Sequence, residues 1–220
     1  NMQRDEKETL KEVVDLCLTE WGQPTQRIEA DEAVLERMRF HVPQRLLDLW
    51  RELGFSVYQN GLMTIANPMD WKSVTDEWIV GTELFDLDTF IPIFKGAYGD
   101  FRLFGIHHGY KATLMPAMGT YVSLGEKAEY GLDIAIDGVF CCETLKGNDF
   151  YTKSCKFDQA LKKLGPLKAN EMYGFVPALP LSGEPQLKNL QKLDAFAHLS
   201  ILRQLTDEVR GIMSYEDIYK

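Results

Sequence analysis

The sequence predicts an α+β protein of two small packed domains. The first has N-terminal helices with a β-hairpin, and the second an antiparallel sheet with helices. Residues 42–78, VPQRLLDLWRELGFSVYQNGLMTIANPMDWKSVTDEW, carry a compact amphipathic helix, an Asn-Gly turn and an Asn-Pro helix start in close succession. Beyond residue 90 the helical period gives way to strand-like runs separated by Gly or Pro turns. The 220 residues are 45% hydrophobic and 26% charged, which is enough apolar material for a core without disulfide or metal staples.

A first helix is expected over residues 5–20, with Leu10, Val13, Val14, Cys17 and Leu18 at helical spacing and Gly22 and Pro24 ending it. Residues 29–37 read as a short helical or irregular lead-in. Pro43 lies near the first turn of the next helix, where its missing N–H costs nothing. Leu46, Leu47, Trp50 and Leu53 make one apolar stripe, and Gly54 suits the position just past the helix end. Residues 55–58 and 62–66 flank Asn60-Gly61, a strong hairpin signal. Asn67-Pro68 stops that strand and opens a helix to about Ile79, with Trp71, Val74 and Trp78 on one side.

Residues 81–90, GTELFDLDTF, lose the helical period and carry three acids. They read as the boundary between domains 1–85 and 86–220. Residues 90–94, 101–107, 112–115 and 121–124 are strand candidates, and 134–142 reads as a further strand or a bent pair around Asp137-Gly138. Residues 157–164 read as a helix closed by Gly165-Pro166, 187–193 as a late strand, and 195–207 as a helix carrying Phe196, Leu199, Ile201, Leu202 and Leu205.

The net charge of −9 is one-sided. Residues 1–90 hold 9 Lys+Arg and 18 Asp+Glu, whereas residues 91–220 hold 15 of each. Direct binding to nucleic acid is disfavoured, because phosphate contacts need a basic footprint. An acidic surface either solubilises the chain or receives a basic partner, whose approach it would speed. No apolar run reaches the length of a membrane helix, and the charged N-terminus lacks the apolar segment of a signal peptide. Asn1 ahead of Met2 reads as an addition before the natural start. The four cysteines, Cys17, Cys141, Cys142 and Cys155, form no CxxC pair, so reduced and mostly buried thiols in a cytoplasmic protein are expected.

No catalytic constellation emerges. There is no GxSxG elbow, no GxGxxG or GxxxxGK[ST] loop, and no cofactor motif. His107-His108 is the histidine cluster; adjacent residues on a strand point to opposite faces, so the two could not share a metal without a bulge. An enzymatic reading, hydrolytic or metal-dependent, would use His107 or His108 with a carboxylate such as Asp100. His198, among apolar helix neighbours, reads as a core histidine. Lys153 and Lys156 could lower the pKa of Cys155 if it were exposed, but no partner base lies near it in sequence. Tyr58, Tyr98, Tyr110, Tyr121 and Tyr130 lie at or near turns and serve either as interface anchors or as caps on the core.

Val42-Pro43 with LLDLW, then Gly54, Tyr58, Asn60-Gly61-Leu62 and Asn67-Pro68, resembles the GAD-like domain. Gly96-Ala-Tyr-Gly99-Asp100 leading into residues 101–104, Leu164-Gly165-Pro166-Leu167, Glu171, residues 173–179 (YGFVPAL) and His198-Leu199 followed by Leu202 are similar to the domain that usually follows it. Together they resemble the immunity proteins paired with DNase toxins of the type VI secretion system. The resemblance covers most of residues 25–206. It implies a cytoplasmic binding protein rather than an enzyme, with no cofactor or metal, whose partner is a cognate nuclease toxin held at its active site or DNA-binding site. It implies no direct nucleic-acid or membrane contact. The family motifs read as turn, cap and core residues and fix no contact residue. Partner contacts are expected from exposed acidic and aromatic residues near the domain junction: Tyr58, Glu83, Asp86, Asp88, Tyr98 and Asp100. A regulatory or scaffold module for an unrelated protein fits the same binding physics.

Overall fold

The N-terminal residues build helices for the reasons their spacing dictates. In the computed structural model, which describes residues 2–143 and 155–212, α1 runs Met2–Trp21, α2 Glu32–Met38 and α3 Gln44–Leu53. Asp31 caps α2 by accepting from the Ala33 N–H, and α3 buries Leu46, Leu47, Leu49, Trp50 and Leu53. Gly54 ends α3 at φ 66°, ψ −165°, and its N–H donates to the Trp50 carbonyl at 2.7 Å. That conformation is open essentially to glycine alone. A Cβ there would also meet the Ile28 carbonyl oxygen at 2.0 Å.

The Asn-Gly hairpin is present, with a wider turn than a two-residue loop. Strands β1 (Val57–Tyr58) and β2 (Met63–Ile65) pair antiparallel, and a 3-10 turn with Gln59 and Asn60 at positive φ joins them. Helix α4 (Pro68–Ile79) starts on Asn67, whose side chain accepts from the Met69 N–H. Then follow α5 (Glu83–Leu87), β3 (Phe90–Gly96), β4 (Phe101–Gly105), β5 (Lys111–Met115) and β6 (Thr120–Leu124). The remaining elements are α6 (Leu132–Cys142), α7 (Phe157–Leu164), β7 (Glu171–Phe175), β8 (Leu190–Asp194), α8 (Ala195–Leu205) and β9 (Arg210–Ile212).

The fold is α+β. One sheet runs β1-β2-β3-β4-β5-β6-β9, antiparallel except where β9 joins β6 in parallel, and β7-β8 form a separate antiparallel pair. β2 pairs with β3, so the main sheet is continuous across residues 81–90. Its two faces bury different cores. Phe101 and Leu103 of β4 face a cluster with Trp71, Trp78, Leu84 and Leu199 from α4, α5 and α8. Phe104, with Ile91 and Phe94 of β3, belongs to the larger cluster under α1, α3 and α6. There Trp21 packs on Tyr58, Phe94 and Phe140, at 5.1, 5.7 and 6.4 Å between ring centroids.

Residues 134–142 overturn the strand expectation: they lie in α6. Ile134 and Ile136 alternate with Asp133, the small Ala135 and Asp137, which mimics a strand. The helix wins because Ile136 and Phe140, four apart, bury against α1 and α3 while Ile134 stays 62% exposed. Residues 83–87 also form a short helix where the period looked broken. The late strand begins at Leu190 after a 3-10 turn, and the strand expected to reach residue 107 stops at Gly105.

Candidate functional site

From residue 73 to residue 94 the chain has five acids and no Lys or Arg. Local structure decides how these acids are displayed. Trp71, Thr75, Trp78 and Ile79 face inward on α4, which leaves Glu77 on the outer side. Lys72 pairs with Asp76 at 2.7 Å. The chain turns tightly after α4. The Val80 N–H donates to the Asp76 carbonyl, and the Thr82 hydroxyl donates to the Ile79 carbonyl at 2.6 Å. Leu84 is then buried, while Val80 and Phe85 are each 52% exposed and Glu83 and Asp86 are exposed. Arg203 of α8 lies over the Trp78 ring and donates to the Glu77 and Thr206 carbonyls.

Of the six anticipated partner residues, Glu83 and Asp86 lie on this acidic turn. Asp88 lies at its end, and its carboxylate accepts from the backbone N–H groups of Thr89, His107 and His108 at 2.7, 3.0 and 2.9 Å. That carboxylate therefore fixes the β4–β5 loop. Tyr58, Tyr98 and Asp100 lie inside the protein, not on the surface expected of them. Tyr58 is fully buried, its hydroxyl has no hydrogen-bond partner among the described residues, and burial pushes its pKa up to about 12. Tyr98 donates its hydroxyl hydrogen to the Cys155 carbonyl at 2.9 Å. Asp100 is 3% exposed and pairs with Arg102, which also reaches Glu143 at 3.5 Å.

Sequence reasoning missed Val80 and Phe85. Their signal was two large apolar residues inside an acidic stretch. Tyr130, one of the turn tyrosines read as an interface anchor or a core cap, is 77% exposed, beside Ile134 at 62% at the start of α6, which the strand reading missed. A groove of about 290 Å³ lies between α6 and β4–β5, lined in part by Arg102, Lys111, Thr113, Val139 and Glu143. Burial raises the Glu143 pKa and Arg102 opposes the rise. The Glu143 carbonyl also accepts from the Trp21 indole at 3.0 Å. The charges of this groove thus tie α6 to the sheet.

The pieces of an enzymatic reading do not converge. Asp100 precedes β4, and His107 and His108 follow it in an exposed turn. The intervening strand holds them apart by roughly 16 Å, at about 3.3 Å per residue. Among the described residues no three His, Cys, Asp or Glu side chains are grouped to hold a metal ion. His198 is half-buried, and burial lowers its pKa. The cysteines form no disulfide: Cys17 and Cys155 are buried, Cys141 is half-buried and Cys142 is exposed. Burial pushes the Cys17 thiol up to about 12, which suppresses the reactive thiolate. Lys153 falls outside the described residues, and buried Cys155 is not the exposed thiol that its activation required.

Comparison with known proteins supplies the context for this surface. Residues 12–117 match the family model of the GAD-like domain, and residues 142–206 match that of the T6SS immunity protein Tdi1, C-terminal. No curated protein matches the chain in sequence. Among solved structures, the fold is similar to the crystal structure of Atu4351 from Agrobacterium tumefaciens, at 20% identity and a TM-score of 0.75. That likeness covers 86% of this chain and 87% of the other.

Proposed function

We propose that this chain, which joins a GAD-like domain to the C-terminal domain of a type VI secretion immunity protein, binds and neutralises a cognate secreted DNase toxin by covering its active site or its DNA-binding site. The observation that carries this reading is the ordered tandem of the two family matches. The work assigned to the chain is binding rather than catalysis. Its partner is a protein, and its place of action is the cytoplasm, where an incoming nuclease would meet chromosomal DNA. Among the described residues no helix is long and apolar enough to cross a membrane.

The physical chemistry supports the same partner. A nuclease must present positive charge to the phosphate backbone. The acidic excess of residues 1–90 would attract that charge at a distance and speed encounter. Inhibition by occlusion needs affinity and a rigid surface, and the acidic turn is fixed by buried Ile79 and Leu84. The test is co-expression of this chain with the nuclease gene beside its own. Cells that receive both are expected to survive with intact chromosomal DNA, and the two proteins to co-purify. Equal killing with and without the chain would overturn the proposal.

A further inference from the structure

The proposed immunity role leaves open which surface meets the toxin. Among the described residues, large exposed apolar side chains occur in four pairs close in sequence: Val80 with Phe85, Tyr130 with Ile134, Val176 with Leu181 and Phe196 with Ile201. Single exposed apolar residues need no explanation, but an apolar pair held on a rigid turn is a candidate contact surface. Charge separates them: residues 176–181 and 196–201 contain no acid. Around Tyr130 and Ile134, Lys111 and Lys127 stand among Glu126, Glu129 and Asp133. Around Val80 and Phe85 stand Glu77, Glu83 and Asp86, with no Lys or Arg on the chain from 73 to 94 and with Arg203 of α8 bound to the Glu77 carbonyl at the edge.

We propose that the exposed Val80–Phe85 face, flanked by Glu77, Glu83 and Asp86, docks on the basic DNA-binding surface of the cognate nuclease, with Phe85 as its apolar anchor. This rests on the immunity reading above and names the surface that serves it. The carboxylates take the place of DNA phosphates opposite the toxin's Lys and Arg side chains. Phe85 contributes what phosphate cannot, a desolvated apolar contact at the centre of a charged rim. The backbone that carries it is already ordered. Leu84 beside it is 1% exposed, and the Thr82–Ile79 hydrogen bond closes the turn. Little entropy is therefore lost on binding. Asp88, held by three backbone N–H groups, positions the end of the segment.

The experiment measures binding of the full chain to the purified, catalytically inactivated nuclease encoded beside it, at low and high salt, with displacement of a short labelled DNA duplex as a second readout. Wild type is expected to bind and to displace the duplex. Phe85→Ala is expected to weaken binding by about 30-fold, the scale of a central anchor. Glu83→Lys/Asp86→Lys is expected to weaken it by about 100-fold at low salt and by much less at high salt. Tyr130→Ala/Ile134→Ala, on another surface, is expected to stay within about twofold of wild type. Thermal melting of each variant controls for folding; all these side chains are exposed, so melting is expected to be unchanged. If wild type binds but both the Phe85 and the Glu83/Asp86 variants bind within about threefold of it, this surface is the wrong one and the immunity reading stands. Loss of binding in the Tyr130/Ile134 variant alone has the same meaning. If wild type itself does not bind, the immunity reading fails and this proposal fails with it.

Discussion

Replacing Arg45 by Met removes one half of an ion pair that joins α3 to α6. Arg45 Nε lies 3.3 Å from Asp137 Oδ1, with the side chains 10% and 18% exposed. Oδ1 itself is buried and makes no hydrogen bond among the described residues, so the contact is one of charge rather than of good hydrogen-bond geometry. Removing one partner of a buried pair costs ~3–5 kcal/mol, and partial exposure places this case near 2–3 kcal/mol. For a chain of this size that is a fall in Tm of roughly 5–10 °C. The pH dependence gives the sharper test. Burial raises the Asp137 pKa, Arg45 lowers it and Asp133 raises it. An acid whose pKa is higher in the folded state takes up a proton on folding, so its contribution is favourable at low pH and is lost as pH rises through the folded value. Without Arg45 that pKa rises further. The penalty of Arg45→Met is therefore largest at neutral pH and shrinks in acid, where Asp137 is protonated. Urea unfolding at neutral pH and at about pH 4.5 measures this. Arg45→Met/Asp137→Leu should recover most of the loss at neutral pH. An equal penalty at both pH values, or a double variant as unstable as the single one, would refute the reasoning.

Three further outcomes are expected. Gly54→Ala should destabilise by about 3 kcal/mol or more, because its positive φ and the Ile28 carbonyl both exclude a Cβ; denaturant unfolding reads this. Asp88→Ala frees three backbone N–H groups and should cost about 2 kcal/mol, with faster hydrogen exchange at the His107 and His108 amides. Lys95 is 1% exposed and donates to the Glu171 carbonyl at 2.8 Å, and burial lowers its pKa from 10.5 to about 8. A base with a depressed folded pKa gives up its proton on folding, so its contribution grows more favourable as pH rises from about 8 to 10.5. Wild type should gain on Lys95→Met by up to about 1 kcal/mol per pH unit over that range. The difference between the two proteins cancels the buried Tyr58, Tyr173 and Cys17, which titrate in the opposite sense. A constant difference would contradict the assignment.

Elements specified by local chemistry were legible in the sequence. Residues 157–164 form α7 over their full predicted length, and Pro68–Ile79 begins and ends where Asn67 and the Trp71–Trp78 spacing place it. The misreadings occurred where distant packing decides. In α6, alternating Ile134 and Ile136 read as a strand, and only the surfaces of α1 and α3 select the helix. Turn tyrosines fit an interface and a core cap equally well on sequence. Tyr98 became core because Cys155, 57 positions away, supplies an acceptor for its hydroxyl. Tyr58 became core because Trp21 packs against its ring. Glu83 and Asp86 were legible as exposed acids, since no nearby basic residue could pair with them. The apolar residues between them acquire meaning only once Leu84 is seen to be buried and Phe85 to be exposed.

The central claim is neutralisation of a nuclease by this chain, and the most direct measurement is DNA cleavage by the purified cognate toxin titrated with the purified protein. The account predicts that cleavage falls with added protein and ceases near stoichiometric equivalence. Undiminished cleavage in the presence of excess protein would contradict it.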